Sequence, residues 1–191
     1  TLPPLIDPIV KRVIHATADF SFAESLRFSD GAVEATLEAL GEGATIVTDT
    51  NMALSGISKP ALAKLGCTAT CYMADEDVAR AAREKGTTRA VACMEKACAV
   101  EGPLIVAIGN APTALIHLLE LKDAGRIDPA LIVGAPVGFV NVVESKHRLM
   151  ESDARYIVAE GRKGGSTVAC SIVNALLYML TRGDAAGRNA R

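Results

Sequence analysis

Short apolar runs alternate with amphipathic stretches along this chain, and Gly or Pro marks nearly every change from one to the other. This alternation is typical of repeated strand and helix units. The predicted strands cover residues 45–48, 68–73, 104–108, 131–133 and 156–159. The pattern therefore predicts five strands with helices between them.

The predicted helices follow from apolar spacing and from their flanking residues. The first covers residues 4–16, where apolar side chains recur at i, i+3, i+4 and i+7. Ser29 is expected to cap a helix that stops at Gly41, and Ser58 to begin one that Gly66 closes. Further helices are predicted at about residues 76–85, 88–100 and 166–180.

Strands that alternate with helices favour a parallel sheet, and a flavodoxin-like order is the natural solution for five strands. We therefore predict the α/β class, with a flavodoxin-like, doubly wound, five-stranded parallel sheet in three layers (α/β/α). Residues 1–181 are expected to form a single domain. The polar tail at residues 182–191 is expected to be disordered.

Composition and charge restrict the possible partners. The chain has 191 residues, of which 50% are hydrophobic, and a formal net charge of −2. This charge gives no reason to expect nucleic acid or an anionic membrane as a partner. No apolar run approaches the roughly 18 residues that cross a bilayer, and the first residues lack the features of a signal peptide. We therefore predict a cytoplasmic protein with no nucleic-acid and no membrane partner.

The five cysteines are odd in number, and their spacing shows neither the CxxC pairs nor the accompanying histidines of a zinc site. We expect buried free thiols in a reducing compartment. No metal site is predicted.

The loops after the strands are the candidate ligand sites, because open α/β sheets bind ligands beyond the carboxyl ends of their strands. These loops combine glycines, which allow close backbone approach, with helix N-termini, which favour anions. They cover residues 49–51, 109–112, 134–138 and 161–166. Neither GxxxxGK[ST] nor GxGxxG occurs, so a nucleotide is disfavoured. The loops indicate a ligand with several negative groups.

Three histidines are candidates for proton transfer, because an unperturbed histidine pKa of about 6.5 suits exchange near neutral pH. His117 lies on an apolar helix and is expected to be structural, whereas His147 lies among charged residues and is expected to be solvated. His15 ends a helix, which would stabilise its protonated form, and Asp19 could add to this effect. Its position alone fits either a catalytic residue or a helix cap.

Seven segments of the chain together resemble one enzyme family. They read Arg-Val-Ile-His-Ala-Thr at 12–17, Ile-Val-Thr-Asp-Thr-Asn-Met at 46–52, Thr-Thr-Arg-Ala at 87–90, Val-Ala-Ile-Gly-Asn-Ala-Pro-Thr-Ala-Leu at 106–115, Val-Gly-Ala-Pro-Val-Gly-Phe-Val at 133–140, Glu-Ser-Lys at 144–146 and Gly-Arg-Lys-Gly-Gly-Ser at 161–166. The stretches at 109–115 and 138–146 are the most specific. From about residue 12 to residue 177 the chain is similar to the precorrin-8X methylmutase family.

The resemblance implies a flavodoxin-like fold, a homodimer with a cleft near the subunit boundary, and no organic cofactor or metal. It also implies an isomerase of corrin (cobalamin) biosynthesis, in which a methyl group moves between adjacent carbons by a 1,5-sigmatropic shift. The substrate would be precorrin-8X or cobalt-precorrin-8, and the product hydrogenobyrinate or cobyrinate. The family histidine that matches His15 donates and accepts the proton, so His15 is the predicted catalytic residue.

Basic side chains, side-chain amides and loop N–H groups would meet the acidic side chains of this tetrapyrrole. The predicted substrate-binding residues are Arg12, Thr17, Asn51, Arg89, Gly109, Asn110, Gly138, Lys146, Arg162, Gly164, Gly165 and Ser166. Lys163 is a further basic candidate. The resemblance also implies a segment before Thr1 that contributes to the pocket in family members.

A second class of function stays open at this point. A non-catalytic tetrapyrrole-binding or carrier protein would use the same loops without a titrating His15. A domain that binds finished cobalamin is disfavoured, because its Asp-x-His-x-x-Gly motif is absent. A flavin carrier is disfavoured too, because the sequence has no tryptophan and few aromatic residues to stack on the ring.

Overall fold

The computed structural model describes residues 2–182, in which helices pack against one six-stranded sheet. The strands are β1 (Leu26–Phe28), β2 (Thr45–Thr48), β3 (Thr68–Thr70), β4 (Leu104–Ile108), β5 (Leu131–Gly134) and β6 (Tyr156–Ala159). The helices are α1 (Asp7–Thr17), α2 (Phe22–Ser25), α3 (Ala32–Gly41), α4 (Asn51–Gly56), α5 (Lys59–Leu65), α6 (Glu76–Lys85), α7 (Arg89–Ala97), α8 (Pro112–Asp123), α9 (Val142–Glu151) and α10 (Ser166–Thr181). The predicted α/β class is confirmed.

The sheet is mixed, with the strand order β1-β6-β5-β4-β2-β3. All neighbours from β6 to β3 are parallel, whereas β1 runs antiparallel to β6, with Leu26 opposite Ala159. The prediction of five strands, all parallel, is therefore wrong, because a sixth strand forms one edge. β1 has only three residues, too few for the alternation that identifies a strand in a sequence.

Side chains explain why one predicted helix start is right and another is wrong. Ser58 caps α5, and Gly66 ends it in the left-handed conformation at φ 64°, as predicted. Ser29 does not cap α3, which begins after Gly31. The Ser29 hydroxyl instead accepts a hydrogen bond of 2.8 Å from the backbone N–H of Tyr156. It therefore connects the end of β1 to the start of β6.

Helices cover both faces of the sheet. On one face α10 packs against α1, α3, α4 and α5, with Ile172 fully buried. On the other face α7 packs against α6 and α8, and α8 against α9, with Leu118 fully buried. Ile105 and Val106 of β4 belong to opposite faces, as the alternation of a strand requires.

The parallel strands β2, β4, β5 and β6 all end at the same edge of the sheet, at Thr48, Ile108, Gly134 and Ala159. We call this edge, with the segments that follow these strands, the carboxyl edge. It consists of residues 49–51, 109–111, 135–141 and 160–165. The fold therefore brings together the four loops that the sequence indicates as ligand sites.

Several sequence-based expectations concern the rest of the chain. Residues 183–191 of the predicted tail lie outside the described residues, and the single domain stays a prediction. No helix within residues 2–182 is long and apolar enough to cross a membrane. All five cysteines are free: Cys67, Cys71 and Cys93 are buried, whereas Cys98 and Cys170 are half-buried.

The core of the second face predicts a difference between two leucines. Leu118 is 0% exposed and Leu180 is 40% exposed, although both lie on helices. Leu118→Ala should lower the free energy of unfolding by about 2–5 kcal/mol, because it leaves a cavity. Leu180→Ala should lower it by less, about 1 kcal/mol, because the Leu180 side chain is already partly in water. Urea unfolding measures both values, and equal losses would contradict this description of the core.

Candidate active site

The carboxylate of Asp49 joins the loop after β2 to the loop after β4. Asp49 is 1% exposed. Its Oδ1 accepts a hydrogen bond of 2.7 Å from the N–H of Gly109, and its Oδ2 accepts bonds of 2.9 and 2.8 Å from Asn110 and Ala111. Because all three donors belong to the backbone, Asp49 fixes the path of this loop and leaves Asn110 exposed at the carboxyl edge.

Asp49 is the residue of this edge that the sequence analysis did not single out. Burial raises the pKa of its carboxyl group, while the three backbone N–H groups act in the opposite direction. An aspartate directly after a buried strand, opposite a Gly-Asn loop, is the signal that could have identified it. Its role is to organise the loop, since its oxygens already have partners.

Three of the predicted binding glycines allow backbone segments to approach closely. A Cβ on Gly109 would lie 2.7 Å from the Cα of Ser166, and one on Gly164 would lie 2.6 Å from the carbonyl oxygen of Pro136. Gly165 has φ 119° and donates a hydrogen bond of 2.8 Å to the Ala135 carbonyl. Gly109 and Gly164 therefore have a packing role here, whereas Gly165 supplies a positive φ that other residues rarely adopt. Substrate contact at the same positions stays a prediction.

Ser166 begins α10, and its hydroxyl lies 2.7 Å from the hydroxyl of Thr50. The Thr50 hydroxyl also caps α4 by accepting a hydrogen bond of 3.0 Å from the N–H of Ala53. The starts of two helices thus meet beside Gly109. Asn51, the first residue of α4, is exposed next to this contact.

Lys146 lies inside the protein rather than at its surface. The side chain is 0% exposed, and Nζ donates hydrogen bonds of 2.7 Å to the Gly161 carbonyl and 2.8 Å to the Lys163 carbonyl. Burial lowers the pKa of Lys146 to about 8. Direct substrate binding by Lys146 stays a prediction, but in this structure its ammonium group is occupied by the loop after β6.

The same loop extends two basic side chains to different neighbours. Arg162 donates a hydrogen bond of 3.1 Å to the Phe139 carbonyl. Lys163 Nζ lies 2.7 Å from Asp19 Oδ2 and 3.0 Å from the Ser21 hydroxyl. The loop after β6 is thereby connected to the loop after β5 and to the segment that follows α1.

His15 lies in the last turn of α1 and is exposed. It borders an open groove of about 660 Å³ whose lining is largely apolar and includes Val10, Ile14 and Phe20. No other side chain within residues 2–182 forms a hydrogen bond or an ion pair with its imidazole ring. The ring is thus available to a ligand that enters the groove.

Asp19 does not support His15 in the way that the sequence suggests. Its carboxylate binds Lys163 and Ser21, and the hydrogen bond from Lys163 is the main cause that lowers the pKa of Asp19 to about 2. Thr17, another predicted binding residue, donates a hydrogen bond of 2.8 Å to the Val13 carbonyl. Both side chains shape the segment that carries His15.

The remaining predicted residues are spread over the surface. The Arg12 guanidinium lies 4.8 Å from the centre of the Tyr178 ring, a cation–π contact with α10. Arg89 begins α7, where its guanidinium approaches the Met73 carbonyl at 3.5 Å. Gly138 has φ 125° within the loop after β5. No interaction connects Arg12 or Arg89 to the other candidates within the described part of the chain.

The other two histidines differ from His15 in their surroundings. Nε2 of His117 lies 2.8 Å from Glu95, and Nδ1 lies 3.2 Å from Glu120. Glu95 also binds Arg126 at 2.7 Å, so His117 belongs to a network of charges on the surface of α7 and α8. His147 is exposed on α9.

Comparison with known proteins identifies the family. A sequence model described as Precorrin-8X methylmutase matches residues 1–179. The chain belongs to the precorrin-8X methylmutase family. It is 48% identical to the cobalt-precorrin-8 methylmutase of Salmonella typhimurium, over 93% of this chain and 83% of that protein. It is 42% identical to the precorrin-8X methylmutase of Pseudomonas aeruginosa, over 92% of this chain and 85% of that protein.

A solved structure agrees with this membership. The precorrin-8X methylmutase of Thermus thermophilus has a TM-score of 0.87 and 41% sequence identity, covering 96% of this chain and 90% of that one. The resemblance to the precorrin-8X methylmutase family is therefore confirmed. Methylmutases of this family are isomerases that move a methyl group. The relatives support this activity and give no support to the carrier alternative.

The carboxyl edge of this methylmutase fold combines polar loops with exposed apolar side chains. Met52 follows Asn51 and is 72% exposed, while Phe139 and Val140 in the loop after β5 are 84% and 77% exposed. Phe20, beside His15, is 79% exposed. Exposed apolar surface at the carboxyl edge is typical of a contact with a ligand or another protein chain.

The hydrogen bonds of Asp49 predict a loss of stability that a surface aspartate does not show. Asp49→Asn replaces one acceptor oxygen by an N–H donor, which leaves at least one buried backbone N–H unpaired. The free energy of unfolding should fall by about 1–3 kcal/mol. Asp153→Asn, which removes only the pair of an exposed carboxylate with Lys122, should leave the free energy of unfolding nearly unchanged. Similar values in urea unfolding would exclude this role for Asp49.

Proposed function

We propose that this chain catalyses the methyl shift that converts precorrin-8X to hydrogenobyrinate, or cobalt-precorrin-8 to cobyrinate, in cobalamin biosynthesis. The observation that carries the proposal is the match to the methylmutase family over residues 1–179. The names of the Salmonella and Pseudomonas relatives describe these two substrates.

The surface beside His15 suits a macrocycle that carries carboxylates. The groove at His15 offers an apolar wall to the ring system. Exposed donors at the carboxyl edge, Asn51, Asn110 and Arg162, are available to the acidic side chains of such a ligand. We assign the substrate contacts to these residues and to Arg89, and regard Lys146 as an internal residue.

His15 is the proposed catalytic residue. Protonation of the conjugated macrocycle by the imidazolium of His15 makes the ring system more electrophilic. One carbon–carbon bond to the methyl group then breaks as another forms on the adjacent carbon, and the proton returns to His15. The step is an isomerisation without net oxidation or reduction. Holding the macrocycle in the reactive geometry is the second contribution of the site.

We propose a homodimer for the assembled enzyme. Phe139 and Val140 are exposed apolar residues at the edge of the site, where a second copy of the chain would cover them. We further propose a cytoplasmic location, which the five free cysteines support. Among the parallel strands the order is β3-β2-β4-β5-β6, the order of a flavodoxin-like sheet, so we assign the fold to that type with β1 as an added edge strand.

The test is anaerobic incubation of the purified protein with precorrin-8X and with cobalt-precorrin-8, followed by the visible spectrum of the chromophore. The wild type should convert one or both. His15→Ala should bind the substrate but convert it about 10²–10⁴ times more slowly, the usual range for loss of a general acid–base group. His147→Ala is the matched control, because His147 is an exposed histidine on α9, and it should retain wild-type turnover.

The other outcomes have separate meanings. A wild type that binds the tetrapyrrole without changing it would favour the carrier function. A wild type that binds neither form would refute the proposed function. Full turnover by His15→Ala would leave the isomerase intact and exclude His15 as its proton donor.

A further inference from the structure

The ammonium group of Lys146 is held by backbone carbonyls rather than by an acid. Its two acceptors are the carbonyls of Gly161 and Lys163. No carboxylate of residues 2–182 lies within 4.0 Å of Nζ. A lysine buried in this way is unfavourable for stability, because desolvation disfavours its charged form and no opposite charge compensates. Its position therefore calls for an explanation other than stability.

Lys146 supplies two of the hydrogen bonds that fix the loop at residues 161–165, beside the bond from the Gly165 N–H to the Ala135 carbonyl. Gly161 and Gly165 both adopt positive φ, at 88° and 119°. The two carbonyls that Lys146 binds flank Arg162, so the backbone of this residue is fixed on both sides. Three glycines in a segment of six residues would otherwise leave the loop many conformations.

The fixed loop directs two side chains to the borders of the site. Arg162 reaches the Phe139 carbonyl in the loop after β5. Lys163 reaches Asp19 and Ser21, which lie in the segment directly after α1. The pair of Lys163 with Asp19 therefore joins the backbone that Lys146 holds to the segment directly after the helix that carries His15, and that helix itself packs on α10.

We propose that Lys146 is a positioning residue for the methyl shift, which fixes the loop at residues 161–165 so that Lys163 holds the His15 segment in place. The role rests on the proposed function, with His15 as the residue that is positioned. Lys146 acts through Lys163 and Asp19 and does not contact the substrate. This role differs from a substrate contact, in which Lys146 and Lys163 would contribute independently.

The experiment compares Lys146→Met, Lys163→Met and the double variant with the wild type. Methionine keeps the length of lysine but has no donor. Lys122→Met is the matched control, because Lys122 is a half-buried lysine whose partners Asp128 and Asp153 lie away from the carboxyl edge. Two quantities are measured for each variant: kcat and KM, and the rate of tryptic cleavage after Arg162.

Lys146→Met should lower kcat by about 10- to 100-fold, because a displacement of about 1 Å at a catalytic group has effects of this size. Lys163→Met should also lower kcat, and the double variant should lose no more than the larger single loss, since both act through one connection. Cleavage after Arg162 should rise at least about tenfold in Lys146→Met, because the loop opens more often. Lys122→Met should match the wild type in both measurements.

Multiplicative losses in the double variant would overturn the proposal and favour two independent substrate contacts. Unchanged cleavage after Arg162 in a folded Lys146→Met would overturn it as well. If Lys146→Met fails to fold, Lys163→Met decides: this exposed residue should lower kcat without a change in the urea midpoint, and unchanged kcat would refute the proposal. The cleavage measurement does not depend on turnover. If the wild type is inactive, the proposed function is refuted, and the cleavage rates still show whether Lys146 holds the loop.

Discussion

Asp49 brings a carboxylate into the protein interior, where a charged group is tolerated only when hydrogen bonds replace its water. The N–H groups of Gly109, Asn110 and Ala111 supply these bonds. The loop after β4 must therefore fold around the end of β2. Ser166 then packs on Gly109, where even a methyl group would collide with it. This contact fixes the position of the start of α10 and of the loop that precedes this helix.

This arrangement gives a surface made of loops a fixed shape. Loops are usually the mobile part of a fold. Here hydrogen bonds of Asp49 connect the loops after β2 and β4, and the contact of Thr50 with Ser166 connects them to the end of the loop after β6. Side chains that take no part in these hydrogen bonds, such as Asn51 and Asn110, are exposed at the carboxyl edge. His15 reaches the same region from α1, and the pair of Lys163 with Asp19 links the two. The family relationship supports the reaction, and we propose this edge as the place where it occurs.

Local sequence patterns predict most of the helices and strands, whereas contacts between residues far apart in the sequence have no local signal. The bounds of β2, β4 and β6 agree with the sequence analysis, because each strand is a short run with Gly, Pro or polar residues on both sides. β1 is missed because it is short and pairs with a strand about 130 residues later, a contact without a local signal. For the same reason the partners of Lys163 and Lys146 could not be predicted. The sequence around a basic residue does not show whether its side chain binds a substrate or a backbone carbonyl. Among the predicted site residues, His15 was singled out by the resemblance to the family and not by its position, and its catalytic role stays a prediction.

The most direct test of this account is a map of backbone hydrogen–deuterium exchange with and without bound precorrin-8X. We expect slower exchange at the carboxyl edge, in residues 49–51, 109–111, 135–141 and 160–165, and in residues 15–21 beside it. The largely polar cavity of about 630 Å³ at the opposite edge, lined by residues that include Ser29, Asp30 and Arg155, should show no change. Protection at that cavity, with none at the carboxyl edge, would contradict the account.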